Sequence, residues 1–211
     1  MRAKSSYDHG LTHVGRGLYF PRRMPSRCRF AAGLTAVAGL ASLVACKSPQ
    51  DLPNAQVTNT VDTVTLYALN GTPIGTPSAY ALIGPQIVHT DQSAVFDFAF
   101  NIDSQAVLLP SGAFAGLQRN SGLQKSNAAS FAAVTMAPTD GYVLDKPLVI
   151  DVGTIALLRS RTQICADGSN HSLYGKLHVL ALDLSARTMQ FEVVVDQNCG
   201  YLSLTPGLPT Q

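Results

Sequence analysis

The chain of 211 residues contains no tryptophan, only 7% aromatic residues and only 13% charged residues. It lacks the HExxH, GxSxG, P-loop and Rossmann glycine motifs, which are the sequence signatures of zinc proteases, serine hydrolases and nucleotide-binding enzymes. No stretch has a hydrophobic period of 3.6 residues that is long enough to predict a core helix. With 46% hydrophobic residues, however, the chain is too apolar for an intrinsically disordered protein.

Positive charge is also scarce outside the N-terminal region. Seven of the 15 Lys and Arg residues precede position 30, whereas residues 46–211 contain 8 basic and 12 acidic residues, a net charge of −4. The formal charge of +2 therefore belongs to the N-terminal segment. The rest of the chain offers no cationic surface of the kind that binds nucleic acid, so we expect no nucleic-acid partner.

The N-terminal basic residues precede an uncharged segment. Residues 22–29 contain four arginines, and the 16 residues 30–45 are uncharged and rich in Ala, Gly, Leu and Val. This segment is shorter than the roughly 20 residues of a transmembrane helix, and its basic flank is typical of a secretory signal peptide. Since residues 1–23 exceed what such a signal needs, we expect translation to start at Met24 rather than at Met1.

The uncharged segment ends in Leu43-Val44-Ala45-Cys46, which resembles the lipobox of bacterial lipoproteins. The resemblance implies that residues 1–45 are removed and that acyl chains on Cys46 anchor the protein in the lipid bilayer. Lys47, rather than Asp, follows the cysteine, which by the same resemblance favours the outer membrane of a Gram-negative envelope. The pair Arg22-Arg23, with Pro21 before it and Met24-Pro25 after it, matches a twin-arginine signal poorly, so we expect Sec export. The alternatives are an ordinary signal peptide with an incidental cysteine and an uncleaved anchor.

The remainder divides into a tether and one domain. Residues 46–60 are polar and without periodicity, so we predict a lipidated Cys46 followed by a flexible tether. Residues 61–211 alternate between apolar and polar positions and are interrupted by Gly, Pro and Asn turns, which is typical of an all-β protein. We predict a single antiparallel β-sandwich of immunoglobulin-like type, with a small up-and-down β-barrel as the alternative.

The alternation also predicts individual strands. The phenylalanines at 96, 98 and 100 indicate a half-buried strand with Asp97 on its solvated face. On the middle strand of a C-terminal meander, Leu173 and Ala181 are expected on the buried face and Lys176 and His178 on the exposed face. The predicted strands are residues 61–69, 78–83, 86–90 and the meander 154–165, 171–184 and 188–199. The apolar segments 131–136 and 148–152, bounded by prolines, are expected at edges or turns.

Cys165 and Cys199 remain after signal removal and lipidation, and in an oxidising compartment they are expected to form a disulfide. In a flat meander they would flank the middle strand about 9.6 Å apart, beyond the roughly 7 Å limit between the Cα atoms of a disulfide. The bond therefore requires the strand ends to bend toward each other. A zinc site with His171 is the alternative, but it lacks a CxxC pair and a fourth ligand, so we expect no metal and no cofactor.

One long segment, residues 110–130, shows no strand pattern. It contains a six-residue echo, GLQRNS at 116–121 and GLQKSN at 122–127, in which Gly116 and Arg119 correspond to Gly122 and Lys125. Loops of this length inside a compact domain are often functional. The favoured interpretation is a mobile loop or short helix that caps the sandwich; the alternative is a loop that binds a partner through Gly116, Arg119, Gly122 and Lys125.

These features favour a non-enzymatic envelope lipoprotein that binds another envelope protein or has a structural role. The main alternative is a carrier whose phenylalanine face lines a cavity for an apolar ligand. An envelope hydrolase would need His89, His171 or His178 beside a serine and an aspartate. Aspartates recur at 91, 97 and 103 without the DxDxDG arrangement of a calcium loop, so we expect them to be solvated.

Overall fold

The structure is a computed structural model and describes residues 52–210. These residues contain strands and one short 3₁₀ turn, Ser111–Ala113. The strands are β1 (Asp62–Tyr67), β2 (Ala79–Ala81), β3 (Gln86–Val88), β4 (Phe98–Ile102), β5 (Ala106–Pro110), β6 (Gly122–Lys125), β7 (Leu148–Val149), β8 (Ile155–Ile164), β9 (Asn170–Asp183) and β10 (Thr188–Asp196). Within this part of the chain, no helix has the length and apolarity needed to span a membrane.

The strands form two five-stranded antiparallel sheets. Sheet 1 has the order β1-β10-β9-β8-β6, and sheet 2 has the order β3-β2-β4-β5-β7. Each sheet has two edge strands, so the fold is a sandwich and not a closed barrel, and the prediction of an all-β sandwich is confirmed. The predicted meander is also confirmed, because β8, β9 and β10 are the three central strands of sheet 1.

The main core fills the space between the sheets. Alternate residues of β10, from Met189 to Val195, are buried on its inner face, as the pleat of a strand requires. Phe98 and Phe100 enter the same core from sheet 2 and are fully buried. The ring centroids of Phe98 and Phe191 lie 6.1 Å apart, and Tyr80 packs edge-on against Phe191 at 5.9 Å. Burial of each such side chain contributes about 1.5–3 kcal/mol.

A second apolar cluster covers the outer face of sheet 1. Ile155 and Leu157 of β8 pack there against Val134 and Leu204, which belong to segments outside the sheets. The apolar segment 131–136 therefore forms no strand, although Met136 bridges to Ser203. By contrast, the segment beginning at Leu148 forms β7, an edge strand, in agreement with the position of its proline.

The outer layer buries Lys176, contrary to prediction. Its Nζ donates to the carbonyl oxygens of Phe131 and Val134 at 2.8 Å each and lies 4.3 Å from the centroid of the Phe131 ring. Burial lowers the pKa of Lys176, and the nearby charge of Glu192 partly offsets that effect. The pattern of one strand cannot reveal a covering layer that comes from residues more than 40 positions away.

Two further predictions about strand faces are wrong. A β-bulge places Gln190 opposite Ala181 but Phe191 opposite Val179, so the alternation on β9 reverses and Ala181 is exposed. The strand β4 is buried on both faces, since Ala99 belongs to a small cluster on the outer face of sheet 2. The bulge thus moved Ala181 to the other face of β9, whereas on β4 the faces were predicted correctly and only the exposure of one face was not.

The predicted disulfide is present between Cys165 and Cys199, whose Cα atoms lie 6.0 Å apart. Both cysteines lie beyond the ends of their strands: β8 ends at Ile164 and β10 at Asp196. The chain bends after each strand, as the sequence required for this bond. Because the sulfur atoms bind each other, they are not available as zinc ligands, and the described residues contain no cluster of His, Cys, Asp and Glu suited to a metal ion.

Residues 53–59, termed the strap, are held against the domain. Asn198 Oδ1 accepts hydrogen bonds from the Gln56 and Val57 N–H groups at 2.8 and 2.9 Å, and its Nδ2 donates to Val57 O at 2.8 Å. Asn59 exchanges two backbone hydrogen bonds with Gly207, at 2.9 and 3.0 Å. The predicted tether, residues 46–60, was therefore too long: its second half is docked, and residues 46–51 lie outside the described residues.

Asp196 lies buried next to the strap. Its Oδ1 accepts hydrogen bonds from the Asn198 backbone N–H at 2.8 Å and from Asn198 Nδ2 at 2.7 Å. Burial raises the pKa of Asp196, whereas the hydrogen bonds from Asn198 lower it. The strap, Asn198 and the end of β10 thus form one connected polar network next to the disulfide.

Replacing Cys165 and Cys199 together by serine removes a cross-link that closes a loop of 34 residues. We expect the free energy of unfolding to fall by about 3–4 kcal/mol, because the unfolded chain regains the entropy that the loop had cost it. Urea unfolding measures this change. Cys46→Ser is the matched control and should leave the free energy of unfolding unchanged. If the double variant has the same free energy of unfolding as the parent protein, the bond does not stabilise the fold.

Candidate binding site at Arg161

The candidate site is built on a bulge in β8. The register with β9 shifts between Arg159 and Thr162, so Ser160 and Arg161 together face Leu173. Ser160 Oγ accepts a hydrogen bond from Leu173 N–H at 2.7 Å and donates to Arg161 O at 2.6 Å. On the other side of β8, pairing with β6 ends at Arg159. Arg161 therefore lies outside both ladders, and the bulge re-aims its side chain.

Asp97, directly before β4, binds Arg161 across the two sheets. Its Oδ1 accepts the Arg161 N–H at 2.7 Å, and its Oδ2 accepts Arg161 Nη1 at 3.2 Å and the Leu82 N–H at 2.7 Å. The side chains of Asp97 and Arg161 are 1% and 24% exposed. Burial raises the pKa of Asp97, and these hydrogen bonds together with the guanidinium charge oppose that effect. The prediction that Asp97 is solvated was wrong.

The loop after β5 is tied to the same aspartate. Ser121 Oγ donates to the backbone carbonyl oxygen of Asp97 at 2.7 Å, and the Ser111 N–H donates to that oxygen at 3.1 Å. The two serine hydroxyls lie 2.7 Å apart, and Ser111 Oγ also donates to Gln118 O at 2.9 Å. These bonds hold residues 111–121 beside the ion pair.

Two shallow clefts meet at Arg161 and Val95, with volumes of about 260 and 250 Å³. Together they are termed the Arg161 site. Val95 is 58% exposed, so an exposed apolar residue and an arginine border both clefts. The walls combine amide, hydroxyl and apolar side chains: Gln86, Ile87, Val88, His89, Gln92, Ser93, Ala94, Phe96, Ser111, Leu117, Gln118 and Asn120, with the backbone of Gly116. Such a mixture suits a ligand with both apolar and hydrogen-bonding groups.

The structure separates the four residues predicted for the binding loop. Gly116 lines the site with a φ of 84°, and exposed Arg119 pairs with Asp145 at 3.0 Å. Gly122 and Lys125 belong to β6, so the prediction of a segment without a strand was wrong. A Cβ atom at Gly122 would lie 2.7 Å from side-chain atoms of Tyr142 and Leu144, so a glycine is needed here for close packing. The two copies of the echo therefore have different structures.

The sequence does not reveal Asp97 and Arg161 as partners, because 64 residues separate them. One signal was present: Arg159-Ser160-Arg161 interrupts the apolar sequence of β8, and such an interruption within a central strand is consistent with a bulge. The aspartate between two phenylalanines carried no matching signal, because a polar residue at that position fits a solvated face equally well.

The histidines do not form a nucleophile–base pair in the described part of the chain. His89 Nδ1 lies 2.6 Å from Gly75 O, and His178 Nδ1 lies 2.8 Å from Glu192 Oε1. Neither ring is hydrogen-bonded to a hydroxyl, which a serine hydrolase would require. His178 is half-buried beneath Phe131, whose ring centroid lies 6.1 Å away.

The phenylalanine face considered as the lining of a carrier cavity is divided between two clusters. Phe98 and Phe100 fill the core between the sheets, whereas Phe96 packs against Phe114 on the outer face of sheet 2, with 5.4 Å between ring centroids. These residues therefore do not line one common cavity.

No protein-family model matches the chain, and a search of curated proteins finds no significant match. Function is therefore inferred from the sequence and from the geometry of residues 52–210.

Arg161→Ala is expected to lower the free energy of unfolding by about 2–4 kcal/mol, because it leaves the buried carboxylate of Asp97 without its counter-charge. The matched control is Arg119→Ala, since the Arg119 and Asp145 side chains are 69% and 36% exposed. An exposed pair of this kind contributes less than about 1 kcal/mol. Urea unfolding compares the two variants; equal effects would contradict the importance of burial at Asp97.

Proposed function

We propose that this protein is an envelope lipoprotein, anchored in a lipid bilayer through acylated Cys46, whose sandwich binds a segment of another envelope protein at the Arg161 site. The observation that carries the anchor is the tetrapeptide 43–46 directly after 16 uncharged residues and a basic flank. The disulfide supports export, because such bonds persist in oxidising compartments. Lys47 after the cysteine favours the outer membrane.

A peptide segment is the ligand that the chemistry of the Arg161 site favours. The guanidinium charge is already balanced by Asp97, so Arg161 suits hydrogen bonds to backbone carbonyl oxygens better than the capture of a multiply charged anion. Amide side chains such as Gln118 and Asn120 supply further donors and acceptors, while Val95 and Leu117 supply apolar contact. The fixed position of Arg161 reduces the entropy that binding must overcome.

The carrier alternative has less support. A carrier needs an enclosed apolar space, and Phe98 and Phe100, which could have lined one, are packed against Tyr80, Phe191 and their neighbours. A purely structural role would leave the exposed Val95, which borders both clefts, without a function. The features of the Arg161 site therefore favour binding of a protein segment over a carrier role or a purely structural role.

The anchor is tested by the intact mass of the protein extracted gently from its native membrane. We expect a chain that starts at Cys46, carries acyl chains and lacks the two hydrogens lost in the disulfide. Cys46→Ser should abolish acylation and release the protein from the membrane fraction. A chain that starts elsewhere without acylation would contradict the proposal.

The binding site is tested by photo-crosslinking in living cells, with a photoreactive amino acid placed at Val95 in the Arg161 site. The matched control position is Val149 on β7, which lies at the opposite edge of sheet 2 from β3 and is also exposed. We expect a crosslinked protein of defined mass from position 95 and none from position 149. Crosslinking that is absent or equal at both positions would remove the Arg161 site from the proposal.

A further inference from the structure

We propose that the end of the sandwich that carries the Cys165–Cys199 disulfide rests against the lipid bilayer, with Ile164 at the headgroup boundary and the β9–β10 turn directed away from it. The inference rests on the proposed acylation of Cys46. It adds an orientation and a lipid-facing surface, which the anchor by itself does not define.

The first step is the length of chain between the anchor and the docked strap. Only six residue steps separate Cys46 from Leu52, the first described residue. A polypeptide covers at most about 3.6 Å per residue, so this connection can span no more than about 22 Å. The point at which the chain joins the domain therefore has to stay close to the bilayer.

The second step is where the chain joins the domain. Tyr201 Oη donates to Pro53 O at 3.0 Å, and Leu52 packs so closely on Gly200 that a Cβ atom there would lie 2.5 Å from Leu52 Cδ2. Gly200 directly follows Cys199 of the disulfide. The bonds of Asn198 and Asn59 hold the rest of the strap, so it cannot lengthen the tether without losing buried hydrogen bonds.

The third step compares the tether with the sandwich. The strand β9 begins beside the disulfide and runs for 14 residues, which corresponds to about 46 Å at roughly 3.3 Å per residue. Its far end, near Leu184, therefore lies about twice as far from the strap as the tether can reach. The end near the disulfide must therefore be the end close to the bilayer, whether the sandwich stands upright or leans.

The fourth step is the surface at that end. Ile164 is 77% exposed, and Val57 of the strap is 45% exposed. Together with Cys165, Cys199 and Tyr201 they border a cleft of about 300 Å³ between the strap and the β8–β9 turn. Ile164 and Val57 can enter the headgroup boundary when this end faces the bilayer. Leu184 at the other end is also exposed, at 65%, so the length of the tether and not apolar exposure selects the end.

Charge limits how deeply and how broadly this end makes contact. Hydrogen bonds from Ser169 lower the pKa of Asp167 in the β8–β9 turn, so this carboxylate stays ionised and must remain hydrated. Contact is therefore confined to the headgroup boundary. The net charge of −4 over residues 46–211 also disfavours a wide face lying on an anionic bilayer, so the upright orientation is preferred.

The chain has no tryptophan, so a single introduced tryptophan reports its own surroundings. Ile164→Trp and Leu184→Trp change exposed positions at opposite ends of the sandwich. Each lipidated protein is reconstituted into vesicles of phosphatidylethanolamine and phosphatidylglycerol with brominated acyl chains, and flotation measures attachment. We expect the fluorescence of the Ile164→Trp variant to be quenched at least about twofold more strongly than that of the Leu184→Trp variant.

The outcomes separate the orientation from the anchor. Failure to float would overturn the acylation of Cys46 and the orientation with it. Flotation with equal quenching, or with stronger quenching of the Leu184→Trp variant, would overturn the orientation alone. An insertion of about ten Gly and Ser residues after Lys47 lengthens the tether and should reduce the difference in quenching; an unchanged difference would show that the short tether does not set the orientation.

Discussion

The carboxylate of Asp97 is the point at which the two sheets are joined by charge. It directly precedes β4 of sheet 2, yet it accepts hydrogen bonds from both the backbone and the side chain of Arg161 in β8 of sheet 1. A carboxylate that is 1% exposed is tolerated only with a counter-charge and several hydrogen bonds. This pair is surrounded by the bulge at Ser160, by the point at which β6 stops pairing with β8, and by the serines that hold the adjoining loop. The candidate site therefore depends on the pair.

A second constraint acts at the ends of the chain. The strap, the turn after β10 and the C-terminal segment converge beside the disulfide, where Asn198 and Asn59 hydrogen-bond to backbone groups distant in sequence. Because the strap is docked, it does not add to the length of chain that can span between Cys46 and the domain. In the proposed anchored protein, stability and attachment are therefore coupled, because the bonds that complete the fold also limit how far the domain can lie from Cys46.

Much of the fold follows from residue pattern. The alternation from Met189 to Val195 placed the inner face of β10 correctly, and the cysteine pair indicated a bond that requires bent strand ends. The errors arose at Ala181, Lys176 and Asp97. A single-residue bulge moved Ala181 to the other face of its strand, and a covering layer buried Lys176. Asp97 is paired with Arg161, which lies 64 residues away in the sequence. The bulge lies next to Ala181, whereas the other two causes come from segments distant in sequence, and none of the three is visible in the alternation of residue types.

The sequence by itself determined the all-β class, the strands of the meander, the disulfide pair and the expectation of export through a lipobox. These properties depend on period, composition and short motifs, which act between neighbouring residues. Only the tertiary structure decided that Gly122 serves packing, that the second half of the tether is docked, and that Arg161 rather than Arg119 lies at the candidate site. Burial and pairing depend on which distant segments meet, and the alternation along one strand is the same whatever later covers it.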